Sequence, residues 1–148
     1  MERISVLGLD IGLRRVGVAG CDGLGLLATE LTTIIRSSFK DDVEAFRKIV
    51  MEREAYRLIV GMPYTINGEI GFQAKQVIKY AKRLSKALEL PLEFMDERLT
   101  SMEAEEQLRE SKKFSQYNKG LIDKRAAAII LQQWLDLRSD KVLKSKES

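Results

Sequence analysis

The sequence predicts an α/β fold in which helices flank a five-stranded mixed sheet. Three β-rich segments come first and predict an antiparallel meander. Strand-like and helix-like segments then alternate, which predicts parallel strands. The chain has 148 residues, with no Gly/Ser-rich linker and no internal repeat. We therefore expect one domain over residues 1–138 and a charged, frayed tail over residues 139–148.

Each predicted element follows from a local pattern. The predicted strands cover residues 3–10, 15–20, 26–35, 58–62 and 91–95, where β-branched and apolar residues concentrate. The predicted helices run from an Asp41 or Asp42 cap to about Arg53, through the segment after Asn67-Gly68, from Thr100 or Ser101 to about Arg109, and from about Ile122 to Leu137.

Two of these helices have informative faces. The helix after Asn67-Gly68 separates an apolar face from a basic one, which comprises Lys75, Lys79, Lys82, Arg83 and Lys86. Such a face is usually a solvated surface, and contact with nucleic acid is the alternative. In the last helix, helical spacing predicts core positions for Ile130, Leu131, Trp134 and Leu137.

The composition excludes several kinds of chemistry. The chain has no His, so Ser-His-Asp triads and histidine zinc sites are excluded. Cys21 is the single cysteine, which excludes an intramolecular disulfide and is typical of a reducing compartment. No segment approaches the roughly 18 apolar residues of a membrane span, and no leader pattern opens the chain. We expect a cytoplasmic protein without a membrane partner.

Carboxylates are the remaining candidates for catalysis. Asp10, the Asp96-Glu97 pair and Asp123 follow strands or open a helix, where they would reach one edge of the sheet. A cluster of carboxylates needs a cation, and Mg²⁺ or Mn²⁺ suits oxygen ligands. The alternative is structural, since Asp10 could form a turn, Glu97 could pair with Arg98, and Asp123 could favour a helix N-terminus.

Four motifs resemble, in order, those of the YqgF/RuvX family of RNase H-like proteins. They are Gly8–Ala19, then Ile59–Pro63 with Asn67-Gly68, then Asp96–Ser101 with Ala104-Glu105, and finally Ile122-Asp123 with Ala126-Ala127 and Ile130-Leu131. Together they span nearly the whole chain. The sequence departs from the family pattern in the Tyr64–Glu69 loop and at Thr100-Ser101.

The resemblance implies an RNase H-like fold and a metal-dependent endonuclease. It assigns the metal-binding and catalytic acids to Asp10, Glu97 and Asp123, with Mg²⁺ or Mn²⁺ as the cofactor. Asp96 stays an alternative to Glu97, since neighbouring residues of a strand point to opposite faces. The implied substrate is structured RNA, above all the 5′ end of pre-16S rRNA, and the alternative is a branched DNA, the Holliday junction.

Basic residues near these acids are candidates for binding nucleic acid. They are Arg14, Arg15, Arg98, Lys119, Lys124 and Arg125. Arg98 could instead hold a neighbouring acid. Phe114 and Tyr117, in a polar segment, could stack on unpaired bases or anchor their loop.

Three questions stay open at the level of sequence. A non-cleaving nucleic-acid-binding factor would use the same basic residues as a nuclease. A phosphotransferase of the actin and sugar-kinase type has a similar Asp-x-Gly loop, although that fold normally needs two such domains. A homodimer would suit a symmetric junction, whereas rRNA trimming makes no such demand.

Overall fold

The fold is described from a computed structural model. It describes residues 3–63, 69–96 and 119–147, with side chains over residues 3–63, 69–96 and 121–138. The predicted Asn67-Gly68 turn, the helix predicted from Thr100 or Ser101 to Arg109, and the segment with Phe114 and Tyr117 lie outside these residues.

The described strands form a five-stranded mixed sheet, as the sequence predicts. They are β1 Leu7–Ile11, β2 Arg15–Cys21, β3 Ala28–Ile35, β4 Leu58–Met62 and β5 Leu92–Asp96. Their spatial order is β3-β2-β1-β4-β5. The first three strands pair antiparallel, and β4 pairs parallel with both β1 and β5. The carboxyl ends of β1, β4 and β5 therefore meet at one edge.

Two strands begin at least two residues later than predicted. β1 starts at Leu7 rather than residue 3, although the preceding segment still bonds across, with Tyr56 N donating to Ser5 O at 3.0 Å. β3 starts at Ala28 rather than residue 26. The Asp22 carboxylate accepts from the backbone N–H groups of Leu26 and Leu27, at 2.7 and 3.0 Å, which closes a turn there. These hydrogen bonds also lower the pKa of Asp22.

The described helices are α1 Phe39–Arg53, α2 Phe72–Leu88 and α3 Lys119–Glu147. The predicted cap of α1 is wrong, because Ser38 is the N-cap and its hydroxyl accepts from Asp41 N at 3.1 Å. Asp42 is instead buried, where it accepts a hydrogen bond from the Tyr80 hydroxyl at 2.8 Å.

The helix α3 continues well past Leu137, where the sequence predicted its end. No Pro or Gly follows that residue to stop a helix. The core prediction for this helix is confirmed for Ile130 and Leu131, which are fully buried, but is wrong for Leu137, which is 52% exposed. Trp134 is only partly buried. None of the described helices is long and apolar enough to cross a membrane.

The helices cover the two faces of the sheet unequally. α1 and α2 pack on one face, against Leu7, Leu9 and other residues of the larger core. α3 covers the opposite face, where Ile130 and Leu131 pack against Ile59. The basic residues of α2 are exposed, as predicted. They therefore lie on the far side of the sheet from α3.

Candidate metal and nucleic-acid site

Asp10 lies near the carboxyl end of β1, on the face that α3 covers. Its neighbours Leu9 and Ile11 point into the core on the other face. Gly8, two residues before Asp10, faces α3 so closely that a Cβ there would lie 2.7 Å from Leu131 Cβ. Because side chains of a strand alternate, Asp10 shares the α3 face with Gly8. It is neither fully buried nor fully exposed.

Asp123 reaches the same place from the first turns of α3. Gly17 of β2 lies directly opposite Asp10 in the sheet register. A Cβ on Gly17 would come within 2.0 Å of the Asp123 carbonyl oxygen, so the helix backbone lies directly on this strand. Asp10 and Asp123 therefore occupy one face and one level of the sheet, with Asp123 lying over the strand that pairs with the strand of Asp10.

Arg15 joins this pair from the first position of β2. Its Nε donates to Asp123 Oδ2 at 2.7 Å, and the two side chains are 34% and 19% exposed. A guanidinium held at a carboxylate offsets the repulsion between neighbouring acids. A phosphate would bind to the other two guanidinium nitrogens of Arg15.

Asp96 lies on the opposite face from Asp10. Met95 packs in the cluster beneath α3, whereas Leu92 and Phe94 pack with α1 and α2. Asp96 therefore lies on the same face of the sheet as Leu92 and Phe94. Glu97, the acid that the family resemblance assigns, and Arg98 lie outside the described residues.

The donor set fits a hard divalent cation. Asp10 and Asp123 offer only carboxylate oxygens, the ligands that Mg²⁺ and Mn²⁺ favour. Among residues 3–63, 69–96 and 121–138, no three metal-ligating side chains of the His, Cys, Asp and Glu types form a group. A third acidic ligand at this site would thus come from outside those ranges.

The other residues predicted to bind nucleic acid differ in where they lie relative to Asp10 and Asp123. Arg14 is exposed in the β1–β2 turn, and Lys124 follows Asp123 directly against Gly17. Arg125 turns away toward β3, where its Nε lies 2.8 Å from Glu30 Oε1 as an ion pair without an aligned hydrogen bond. Lys119 opens α3, and its side chain is not among those described.

Arg36 is a residue that the sequence analysis did not identify. Its backbone N donates to Arg14 O at 2.8 Å, and its Nη1 donates to Gly12 O at 2.6 Å. The guanidinium lies 4.0 Å from the centre of the Tyr80 ring, whose hydroxyl is bound to buried Asp42. Arg36 thus holds the turn that carries Asp10 and Arg15. In the sequence, the one signal for this contact is that Tyr80 falls at the helical spacing of the apolar residues of α2.

The comparison with known families decides where this chain belongs. The profile of the RuvX family, described as Holliday junction resolvase, matches residues 4–137. The chain belongs to the RuvX family. The match covers β1 and the described beginning of α3, so both Asp10 and Asp123 lie inside it.

Relatives of this chain come from Gloeothece citriformis and Synechocystis. A relative from Gloeothece citriformis, named as a candidate pre-16S rRNA nuclease, is 66% identical over 137 residues, which cover 93% of this chain and 91% of that one. A relative from Synechocystis with the same name is 60% identical over 137 residues, covering 93% and 90%.

Solved structures show the same fold at low identity. RuvC from Thermus thermophilus in complex with a Holliday junction substrate superposes with a TM-score of 0.55 at 14% identity. The alignment covers 92% of this chain and 96% of that one. With the strand order described above, this likeness confirms the predicted RNase H-like fold.

Proposed function

We propose that this RuvX protein is a divalent-metal-dependent endonuclease that acts on structured nucleic acid and trims the 5′ end of pre-16S rRNA. The observation that carries the proposal is the convergence of Asp10 and Asp123 on one face of the sheet, with Arg15 bound to Asp123 at 2.7 Å. The names of the Gloeothece and Synechocystis relatives support rRNA as the substrate.

Glu97 completes the proposed ligand set. Asp96 has the parity of residues on the α1/α2 face, on the opposite side of the sheet from Asp10. This supports Glu97 over Asp96 as the third carboxylate. Bound Mg²⁺ or Mn²⁺ would activate water and stabilise the leaving oxygen of a phosphodiester.

The protein's own residues would position the substrate. Asp10 and Asp123 provide oxygen ligands from two different elements, a strand and a helix, which fixes their spacing. Arg15 holds the Asp123 carboxylate in place and presents its outer nitrogens to a phosphate. Arg14 and Lys124 flank the acids and would bind neighbouring phosphates without reading sequence.

Two further features of the proposal concern where and how the protein acts. Cys21 is a free, buried thiol, which supports a cytoplasmic location. Cleavage of a four-way DNA junction is the second candidate function, because the family carries the description Holliday junction resolvase. A homodimer would be required for symmetric cutting of such a junction.

A cleavage assay with Asp10→Asn tests the proposal. The purified protein is incubated with Mg²⁺ or Mn²⁺ and either a precursor rRNA 5′ end or a four-way DNA junction. We expect the wild type to cleave the rRNA and Asp10→Asn to lose cleavage while its melting temperature hardly changes. Asp41→Asn, at an exposed position in the first turn of α1, is the matched control and should cleave normally.

The other outcomes are equally informative. Cleavage of the junction alone would replace rRNA by branched DNA as the substrate. Binding of either substrate without cleavage by the wild type would favour the non-cleaving binding factor. Unfolding of Asp10→Asn would make Asp10 a structural residue rather than a metal ligand.

A further inference from the structure

A second site lies beside β5, on the same face of the sheet as the two acids. It is a cavity of about 390 Å³ between β5 and the C-terminal half of α3. Its lining residues include two aromatic ones, Tyr56 and Trp134, and two arginines, Arg57 and Arg138. Its volume falls in the ~300–1,000 Å³ range of small-molecule sites.

The tryptophan in this cavity is held in place by a hydrogen bond. Trp134 Nε1 donates to Glu93 Oε2 at 2.7 Å, and Arg57 Nη1 lies 3.7 Å from the same oxygen. A ring held in this way loses little conformational entropy when a ligand binds against it. Tyr56 is 44% exposed and Leu137 52% exposed, so the apolar part of the wall is open to solvent.

The charges of the cavity favour an anionic ligand. Arg57 and Arg138 carry positive charge, and Glu93 is the one acid among the lining residues. Glu93 is already engaged by Trp134 and Arg57. A ligand with a flat ring and a phosphate would therefore meet aromatic surface and an excess of positive charge in the same cavity.

The register of the sheet places this cavity close to the catalytic acids. Met95, which lines it, pairs with Gly61 of β4. Leu9 pairs with Val60, so Asp10 lies at the level of Gly61. Met95 and Asp10 are thus two strand spacings apart, about 10 Å. An extended nucleic-acid strand at the acids would reach the cavity within a few nucleotides.

We propose that this cavity binds an unpaired base of the substrate strand, next to the bond to be cut. The inference rests on the proposed nuclease function and specifies single-stranded RNA as the class of substrate at this site. The base would stack on the rings of Tyr56 and Trp134, while Arg57 and Arg138 bind the adjoining phosphates. A base that remains paired and stacked within a duplex cannot enter.

The fluorescence of Trp134 tests this site directly, because it is the only tryptophan in the chain. A short single-stranded RNA is titrated into the full-length protein in EDTA, so that no cleavage occurs. We expect saturable quenching with the same Kd that the anisotropy of labelled RNA gives. The same sequence within a duplex should bind without quenching.

Two variants with one control separate stacking from a general loss of affinity. Tyr56→Ala should weaken binding of the single strand at least about fivefold, the effect of losing one stacked base. Arg138→Gln should also weaken binding and reduce its dependence on salt. Phe72→Ala removes an aromatic ring that is 77% exposed in α2, on the other side of the sheet, and should bind as wild type does.

Several results would overturn the proposal. They are saturating RNA that leaves Trp134 fluorescence unchanged, equal quenching by the duplex, and equal affinity of Tyr56→Ala and Phe72→Ala. Cleavage with unchanged fluorescence would remove this site and leave the nuclease. Quenching without any cleavage would support this site and remove the nuclease, so the two failures are distinguishable.

Discussion

Gly17 shows how a single missing side chain positions the acids. With only hydrogen at this position, the backbone of α3 at Asp123 lies directly against β2. Any Cβ would overlap backbone atoms rather than the end of a flexible side chain, and the helix could give way only by moving Asp123. The absence of a side chain at Gly17 is therefore a requirement of the site as much as of the fold.

Gly17→Ala should both destabilise the protein and disturb the acids. Overpacking against backbone costs about 1–3 kcal/mol or more in the free energy of unfolding. Urea unfolding measures this change. Gly23→Ala is the control, since its Cβ would lie 3.4 Å from the flexible Arg3 side chain. Equal stability of the two variants would contradict the close approach of α3.

Arg15 has a testable electrostatic role at the same place. In Arg15→Ala, the Asp123 carboxylate loses the guanidinium at 2.7 Å and is left beside Asp10. A divalent cation should then stabilise the variant more than the wild type, because it relieves a larger repulsion and binds only the folded state.

The measurement is the increase in Tm when Mg²⁺ replaces EDTA. We expect a larger increase for Arg15→Ala than for wild type, while Arg14→Ala, at an exposed position in the adjacent turn, behaves as wild type does. An identical Mg²⁺-dependent shift in all three proteins would show that Arg15 does not compensate the charge of the metal site.

At the level of elements, α1 and α2 are joined by a buried polar contact. The Tyr80 hydroxyl donates to Asp42 Oδ2 at 2.8 Å, and Asp42 Oδ1 accepts from Ser37 N at 2.9 Å. Burial first, and the Asp42 carboxylate second, raise the pKa of Tyr80 well above its usual range. This contact also supports the ring on which Arg36 lies.

The raised pKa of Tyr80 predicts how stability depends on alkaline pH. Below the unfolded-state value of about 10, Tyr80 is neutral in both states and its contribution to stability is complete. Above pH 10 the unfolded chain releases this proton and the folded chain retains it, so stability falls as pH rises.

Tyr80→Phe should therefore be less stable at neutral pH, by roughly 1–3 kcal/mol, since buried Asp42 loses a hydrogen-bond donor. It should also lose less stability above pH 10 than wild type does. Urea unfolding between pH 7 and 11 measures both effects. A parallel decline of the two proteins above pH 10 would contradict the assignment.

The elements that the sequence predicted well are those with strong local patterns. The apolar run of β4 was predicted at the observed bounds, and the alternating faces of α2 separate buried from exposed residues as expected. The cap of α1 was missed because Ser38, Asp41 and Asp42 are all good capping residues. Only tertiary contact with Tyr80 removes Asp42 from that role.

The site was predictable in part for the same reason. Asp10 and Asp123 follow local patterns and belong to family motifs, so the sequence alone indicated both. The position of Asp123 over Gly17, and the pairing of Arg15 with Asp123, depend on the packing of α3 over β2, which no local pattern encodes. The Trp134 cavity was missed because helical spacing placed that residue in the core.

At the scale of the whole molecule, the sheet separates two basic surfaces. Arg15 and Lys124 lie with the acids on the α3 side and Arg14 lies in the adjacent β1–β2 turn, whereas the lysines of α2 lie beyond the opposite face. A nucleic acid bound at Asp10 and Asp123 would therefore not need to reach α2. We therefore expect the basic face of α2 to be a solvated surface.

Neutralising each surface should therefore have different effects on binding RNA. Arg14→Gln combined with Lys124→Gln should weaken the binding of single-stranded RNA. It should also reduce the slope of log affinity against log salt concentration, by about 0.7 for each phosphate that is no longer neutralised. Lys79→Gln combined with Lys82→Gln removes the same charge from α2. We expect that pair to change affinity less than twofold in filter binding at several salt concentrations. A comparable weakening by both pairs would extend the interface around the sheet.

The distance in sequence between Arg15 and Asp123, 108 residues, has a consequence for the cell. During translation the meander with Asp10 emerges from the ribosome early, while α3 emerges last among the described elements. The proposed metal site cannot assemble until Asp123 has left the exit tunnel. If the protein cuts ribosomal RNA, this order of synthesis delays its activity until the strands and the first two described helices have already emerged from the ribosome.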